Sequence, residues 1–228
     1  MKLKFVIFSA GIILALIASV FGLAEAPQKI EYAGTVSDID GNVYKTVRIG
    51  KQIWMAENLR STHYSDGTPV KSLDYGNDPS KVKIYGKLYT WAAAMRGASN
   101  SNTNPSKVQG IAPQGWHLPS RAEWQELMEF LGGGKVAGGK LKETGSVHWL
   151  APNTGATDEY GFSALPAGCF DFGGKFQRQG DRCYFLTSSY PDPFDYDRAG
   201  ILIRNDSAEM IIGGLHPDDA YSIRCVKD

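Results

Sequence analysis

"GWHLPSRAEWQEL", Gly115–Leu127, is the stretch on which the reading of the whole chain turns. It sets a tryptophan and a histidine before a Leu-Pro pair, then a serine and a glutamate three positions apart. His117 and Glu123 are either catalytic groups or parts of a helix start, and the second reading accounts for more of the residues. Ser120 with Glu123 forms the S-x-x-E capping box: the serine oxygen accepts from a free N–H at the helix start, and the glutamate reaches back to the serine's backbone. Pro119 keeps the residue before it extended. Trp124, Leu127, Met128 and Leu131 then share one helical face, and Gly132-Gly133-Gly134 ends the helix. Only His117 lacks a local task. A lone histidine beside a buried tryptophan is expected to be packed and hydrogen-bonded.

Upstream, "EYAGTVSDIDGNVYKTVRIGKQIWMAENLR" alternates with period two and is broken by turns at Asp40-Gly41 and Gly50-Lys51. This predicts strands near residues 32–37, 43–49 and 52–58. "DIDGN" has the opening of a calcium loop without its remaining ligands, and reads as a turn. "STHYSDGTPVKSLDYGNDPSKVK" is a polar surface loop. In "YGKLYTWAAAM", Leu88, Trp91, Ala92 and Met95 fall at i, i+3, i+4 and i+7, the stripe of a second helix facing the core.

Downstream, "GGGKVAGGKLKETGSVHWLAPNTGATDEYGFSALPAG" reads as long and irregular. "GKVAGGKL" misses the phosphate loop, because Leu141 stands where a hydroxyl must hold magnesium and no strand precedes it. Asp158-Glu159 read as solvated turn residues. The last third reads as strands: "GCFDFGG", "KFQRQ", "RCYFLTSS", "AGILIRN", "EMIIGG" and "YSIRCVK". Between two of them, "SSYPDPFDYDRAG" interleaves Tyr190, Phe194 and Tyr196 with Asp192, Asp195 and Asp197, too polar a run for every ring to be core.

The N-terminus has two lysines, an apolar run from Phe5 to Leu23 and then small residues, the layout of a signal peptide cut after Ala24. An uncleaved anchor is the alternative, since the run nearly spans a bilayer. The expected location is secreted, periplasmic or cell-surface, with no other membrane contact. Removing residues 1–24 takes away Lys2 and Lys4 and no acid, leaving 22 basic and 24 acidic residues, a formal charge of −2. That balance gives no footprint for nucleic acid.

Three cysteines remain, an odd number. Cys169 and Cys183 bracket "FDFGGKFQRQGDR", which reads as a hairpin around Gly173-Gly174. The expected pairing is a disulfide across it, with the other pairings and a fully reduced chain as alternatives. Cys225 is then a buried thiol. No Cys/His set has zinc spacing, and neither a metal nor a cofactor is expected.

Six phrases in order, "DIDGNVYKTVRIGKQIWMAENL", "YGKLYTWAAAM", "GWHLPSRAEWQEL", "VAGGKLKETG", "GFSALPAG" and "SIRCVKD", resemble the Fibrobacter succinogenes major paralogous (FISUMP) domain. The likeness implies an α+β, C-type lectin-like fold: two main helices, short antiparallel strands, long loops, and the first strand paired with the last. It implies one domain over residues 37–228, after a lead-in at 25–36. Relatives often carry Cys-Pro where this chain has Ala112-Pro113; if that cysteine normally pairs with the one in the closing "RCV", Cys225 has lost its partner. "LPSRAEW" is also similar to a phrase of the sulfatase-modifying, formylglycine-generating enzymes, which need an open, reactive cysteine pair. Helix capping alone explains that phrase. No G-x-S-x-G, H-E-x-x-H or calcium-lectin triplet is present.

The functional expectation is a non-catalytic binding or adhesion module that meets a glycan or a protein with its loop face. Tyr190, Asp192, Phe194, Asp195 and Tyr196 are its candidate ligand residues, helped by the loop at 63–77. A purely structural surface protein is the alternative, and a formylglycine-generating-type oxidase a further one.

Overall fold

A computed structural model describes residues 29–189 and 198–228. The signal segment and the candidate ligand residues Tyr190, Asp192, Phe194, Asp195 and Tyr196 lie outside the described residues. The described residues hold twelve strands and four α-helices, and every strand pair is antiparallel. This is an α+β fold.

The alternating N-terminal stretch forms β1 (Tyr32–Ser37), β2 (Val43–Ile49) and β3 (Gln52–Met55), the first of which uses part of the lead-in segment. With β12 (Val226–Lys227) and β5 (Trp116–His117) they make a five-stranded sheet in the order β1-β2-β3-β12-β5. The last strand therefore pairs with β3 and β5, and the expected pairing of first with last strand is not made. The two consecutive turns after β1 and β2 build a meander whose inner edge, at β3, is the one left open to receive β12. In the turn of "DIDGN", the Asp38 carboxylate accepts from the backbone of Asp40 and Asn42, from Tyr44 Oη at 2.5 Å and from Ser61 Oγ at 2.6 Å. The turn's acid is spent on hydrogen bonds.

The second sheet is β8 (Arg182–Leu186), β9 (Arg198–Arg204) and β10 (Met210–Leu215), in the order β10-β9-β8. A third joins β4 (Tyr89–Thr90), β11 (Ala220–Tyr221), β6 (Cys169–Phe170) and β7 (Phe176–Gln177). The helices are α1 (Val82–Tyr85), α2 (Trp91–Met95), α3 (Arg121–Phe130) and α4 (Gly134–Leu141).

Two helix expectations are corrected. The stripe from Leu88 to Met95 is not helical throughout. The chain is extended at Tyr89–Thr90, and the helix starts at Trp91, where the Thr90 hydroxyl accepts from the N–H of Ala93. Ala92 is exposed while Ala94 and Met95 are buried, so the buried face is shifted from the one read. The second correction is α4, where the sequence suggests irregular chain. Its glycines weaken the helix signal, yet they are what lets it pack. A Cβ on Gly138 would overlap the carbonyl of Glu209, and one on Gly139 that of Gly155. Gly139 N–H in turn donates to the Ala208 carbonyl at 2.9 Å. Close backbone approach outweighs poor helix propensity.

Between the sheets and α3, Trp54, Trp124, Phe162 and Phe185 form an aromatic centre, with the Trp54 and Trp124 rings 4.5 Å apart and Trp124 stacked on Phe185 at 5.4 Å. Two cations sit inside with no carboxylate in salt-bridge contact among the described residues. Arg224 lies 4.3 Å over the Phe162 ring and donates to Asn58 Oδ1 at 2.8 Å, to the Ser163 carbonyl at 2.9 Å and to the Phe162 carbonyl. Lys142 Nζ donates to the carbonyls of Thr154, Arg204 and Ser207 at 2.8, 3.0 and 2.9 Å. Burial pushes Lys142 down to about 8 and Arg224 to about 10. Both cations are solvated by main chain in place of water, which ties loops that few apolar contacts could hold.

Candidate functional site

The helix start resolves as a five-residue hydrogen-bonded tie. β5 pairs His117 with Val226 of β12, carrying the imidazole beneath the N-terminus of α3. There the Ser120 hydroxyl accepts from the Glu123 N–H at 3.2 Å, and the Glu123 carboxylate accepts from the Ser120 N–H at 2.9 Å. The same oxygen accepts from Ser106 N–H at 3.1 Å. Its other oxygen meets His117 Nε2 at 2.6 Å, while His117 Nδ1 meets Asp228 Oδ1 at 2.7 Å. His117 and Glu123 are each 1 % exposed. Burial opposes charge on the ring, but the bonds and charges of Glu123, then of Asp228, outweigh it and raise the His117 pKa above the ordinary histidine value.

Both ring nitrogens and both Glu123 oxygens are engaged by protein groups. A surface cleft of about 520 Å³ lies alongside, lined by Arg48, Lys51, Asn104 and Glu126 and, from the tie itself, by Glu123 and Asp228. His117 is absent from its walls. The tie joins β5, β12 and α3. Asp228, 111 residues from His117 in sequence, is the member that local pattern could not supply.

A second site is built on the aromatic hairpin. β6 and β7 pair Cys169 with Gln177 and Phe170 with Phe176. Asp171 shapes the tip: its N–H donates to the Lys175 carbonyl at 2.9 Å, its Oδ1 accepts from Lys175 N–H at 2.8 Å, and its other oxygen accepts from the Gln177 amide. Phe172 N–H donates to buried Asp219 at 2.8 Å, and Asp219 also accepts from the Tyr221 hydroxyl at 2.8 Å. Phe172 is 74 % exposed as a residue, and its ring lies on the His216 imidazole, with centroids 4.6 Å apart and planes at 23°. On the same hairpin and the neighbouring loop, Phe170, Phe176 and Tyr75 form a half-buried row with centroid spacings of 4.8 and 5.1 Å. The sequence shows the rings of "FDFGGKF"; it carries no sign that His216, in the loop between β10 and β11, would stack under one of them.

The family model of the Fibrobacter succinogenes major domain matches residues 47–227, from within β2 to the end of β12. The chain belongs to this family. No curated protein and no solved structure matches it.

In this FISUMP chain, the disulfide expected across the hairpin is not formed. All three cysteines are buried free thiols. The hairpin partner of Cys169 is Gln177, while Cys183 stands on β8 opposite Ile203, in the core cluster around Trp54. Cys169 and Cys225 belong to the other core cluster, which also contains Ala112. Burial pushes the Cys169 thiol up to about 11 and Cys183 to about 12, and raises Cys225 as well. Thiols so shifted hold little thiolate near neutral pH and are poor nucleophiles. Asp158, read as a solvated turn residue, instead accepts from Ser163 N–H at 2.7 Å and Ser163 Oγ at 2.6 Å, and burial raises its pKa.

Proposed function

We propose that this FISUMP protein is an exported, non-catalytic binding module of C-type lectin-like fold, meeting a glycan or a protein outside the cytoplasm with the loops of its third sheet and the turns beside it. The observation that carries the reading is the presentation of Phe172. A large ring stands in solvent on a loop whose backbone is hydrogen-bonded at every turn, and recognition is commonly built on loops held by a rigid scaffold. The buried, high-pKa thiols support a role without thiol chemistry. The C-type lectin-like assignment draws on the antiparallel sheets, the central place of β12 and the long ordered loops between them.

The test uses the chain from residue 25, labelled and titrated onto intact cells and onto glycan and protein arrays, alongside protease accessibility of the native protein on the cell. Saturable binding together with surface exposure is expected. Self-association on the envelope without any saturable ligand would make the chain a structural surface protein instead.

A further inference from the structure

We infer that the β6–β7 hairpin is a saccharide platform, with Phe172 as the ring that stacks on a pyranose and the row Phe170, Phe176 and Tyr75 as its extension. The inference rests on the binding-module reading and names its site and ligand class. The hairpin and the Tyr75 loop offer rings in two settings: Phe172 stands exposed at the tip, and Phe170, Phe176 and Tyr75 lie half-buried in a row. Lys81 Nζ sits 4.9 Å over the Tyr75 ring and donates to Gln179 Oε1 at 2.9 Å, which fixes the far end of the row. At the tip, His216 stacks on one face of the Phe172 ring while the residue stays largely exposed. The loop beneath is already ordered by the Asp171 and Asp219 carboxylates, so a ligand meets a formed surface and little ordering entropy opposes binding.

The surroundings select among ligand classes. A pyranose has a C–H face that packs on an aromatic ring and a girdle of hydroxyls that seek donors and acceptors. Exposed Lys175, Gln177 and Asp218 stand near the tip in sequence or register and supply both kinds of group. A nucleic acid requires a positive field, whereas the tip carries Asp171, Asp218 and Asp219 against Lys175, in a chain whose 24 basic residues are matched by 24 acids.

Native gels cast separately with a soluble β-glucan, a xylan, a galactomannan and a dextran test this, because retardation measures affinity for each polysaccharide directly. Wild-type protein is expected to be retarded on at least one gel. Phe172→Ala should weaken that interaction at least tenfold without changing Tm, and Phe172→Trp should retain it. Tyr190→Ala with Tyr196→Ala should leave it intact. Equal retardation of wild type and Phe172→Ala overturns the platform. Loss only in the Tyr190/Tyr196 variant also overturns it, while leaving the binding-module reading standing. Retardation on none of the gels overturns the saccharide assignment, and the cell and array titration then decides the broader reading separately.

Discussion

Glu123→Gln isolates the charge of the buried tie while preserving side-chain shape. The wild-type carboxylate accepts three hydrogen bonds, from His117, Ser106 and Ser120, at 2.6, 3.1 and 2.9 Å. Bonds to a charged group are each worth about 1.5–3 kcal/mol against about 0.5–1.5 for neutral pairs. In the variant, the amide oxygen can keep the two backbone N–H donors, and its NH₂ then faces His117 Nε2. That arrangement works only for a neutral ring carrying its proton on Nδ1, toward Asp228. Downgrading three bonds and losing the charged ring gives an expected loss of about 2–3 kcal/mol. For a domain of this size that is roughly 5–10 °C in Tm.

The pH dependence supplies the sharper check. Because the folded-state pKa of His117 is raised, its contribution is complete below the unfolded value of about 6.5 and fades as pH climbs through the raised folded value. Urea unfolding at about pH 6 and again at about pH 8.5 should therefore show a wild-type advantage that is larger at the lower pH. Other titrating groups are common to both proteins and cancel in the difference. A variant within about 0.5 kcal/mol of wild type at both pH values, or a difference that does not change with pH, would refute the assignment of His117 as a charged structural link.

Three further outcomes follow from other parts of the fold. Gly138→Ala should destabilise by about 2 kcal/mol or more, although alanine favours helix by about 1 kcal/mol, because the new methyl meets the Glu209 carbonyl; thermal unfolding that shows a gain would reject the close approach of α4 to the β9–β10 turn. Lys142→Met leaves three carbonyls without their ammonium and should cost about 3 kcal/mol near neutral pH. Since the folded Lys142 pKa is lowered to about 8, the unfolded chain binds more protons above it, and this residue makes wild-type stability rise with pH between about 8 and 10.4; the methionine variant should lack that rise in denaturation curves. Alkylation followed by mass measurement should find three reactive thiols after denaturation and almost none before it, whereas a single reactive thiol in the denatured chain would restore the disulfide across the hairpin.

Much of the scaffold is visible in the residues because its signals are local. Alternation between the Asp40-Gly41 and Gly50-Lys51 turns marks β1, β2 and β3, and Ser120 with Glu123 marks the start of α3 three residues apart. Where the reading slipped, a tertiary contact overrode the local preference. Thr90 capped α2 later than the apolar spacing suggested, and Gly138 with Gly139 formed a helix because main chain from Ala208, Glu209 and Gly155 packs against them. Candidate function was less legible for the same reason. Phe172 is prominent in the sequence, yet its significance depends on Asp219 and His216, more than forty residues on in the chain.

By itself, then, the sequence determined the family, the α+β class, most strands and the capped helix, since turns, caps and alternation act over a few neighbouring residues. Only the tertiary structure decided that β12 enters between β3 and β5, that Asp228 closes the contact to His117, and that the three sulfurs stay apart from one another's bonds. Those outcomes depend on which distant surfaces fit together, and packing of that kind leaves no periodic trace in the residues that take part in it.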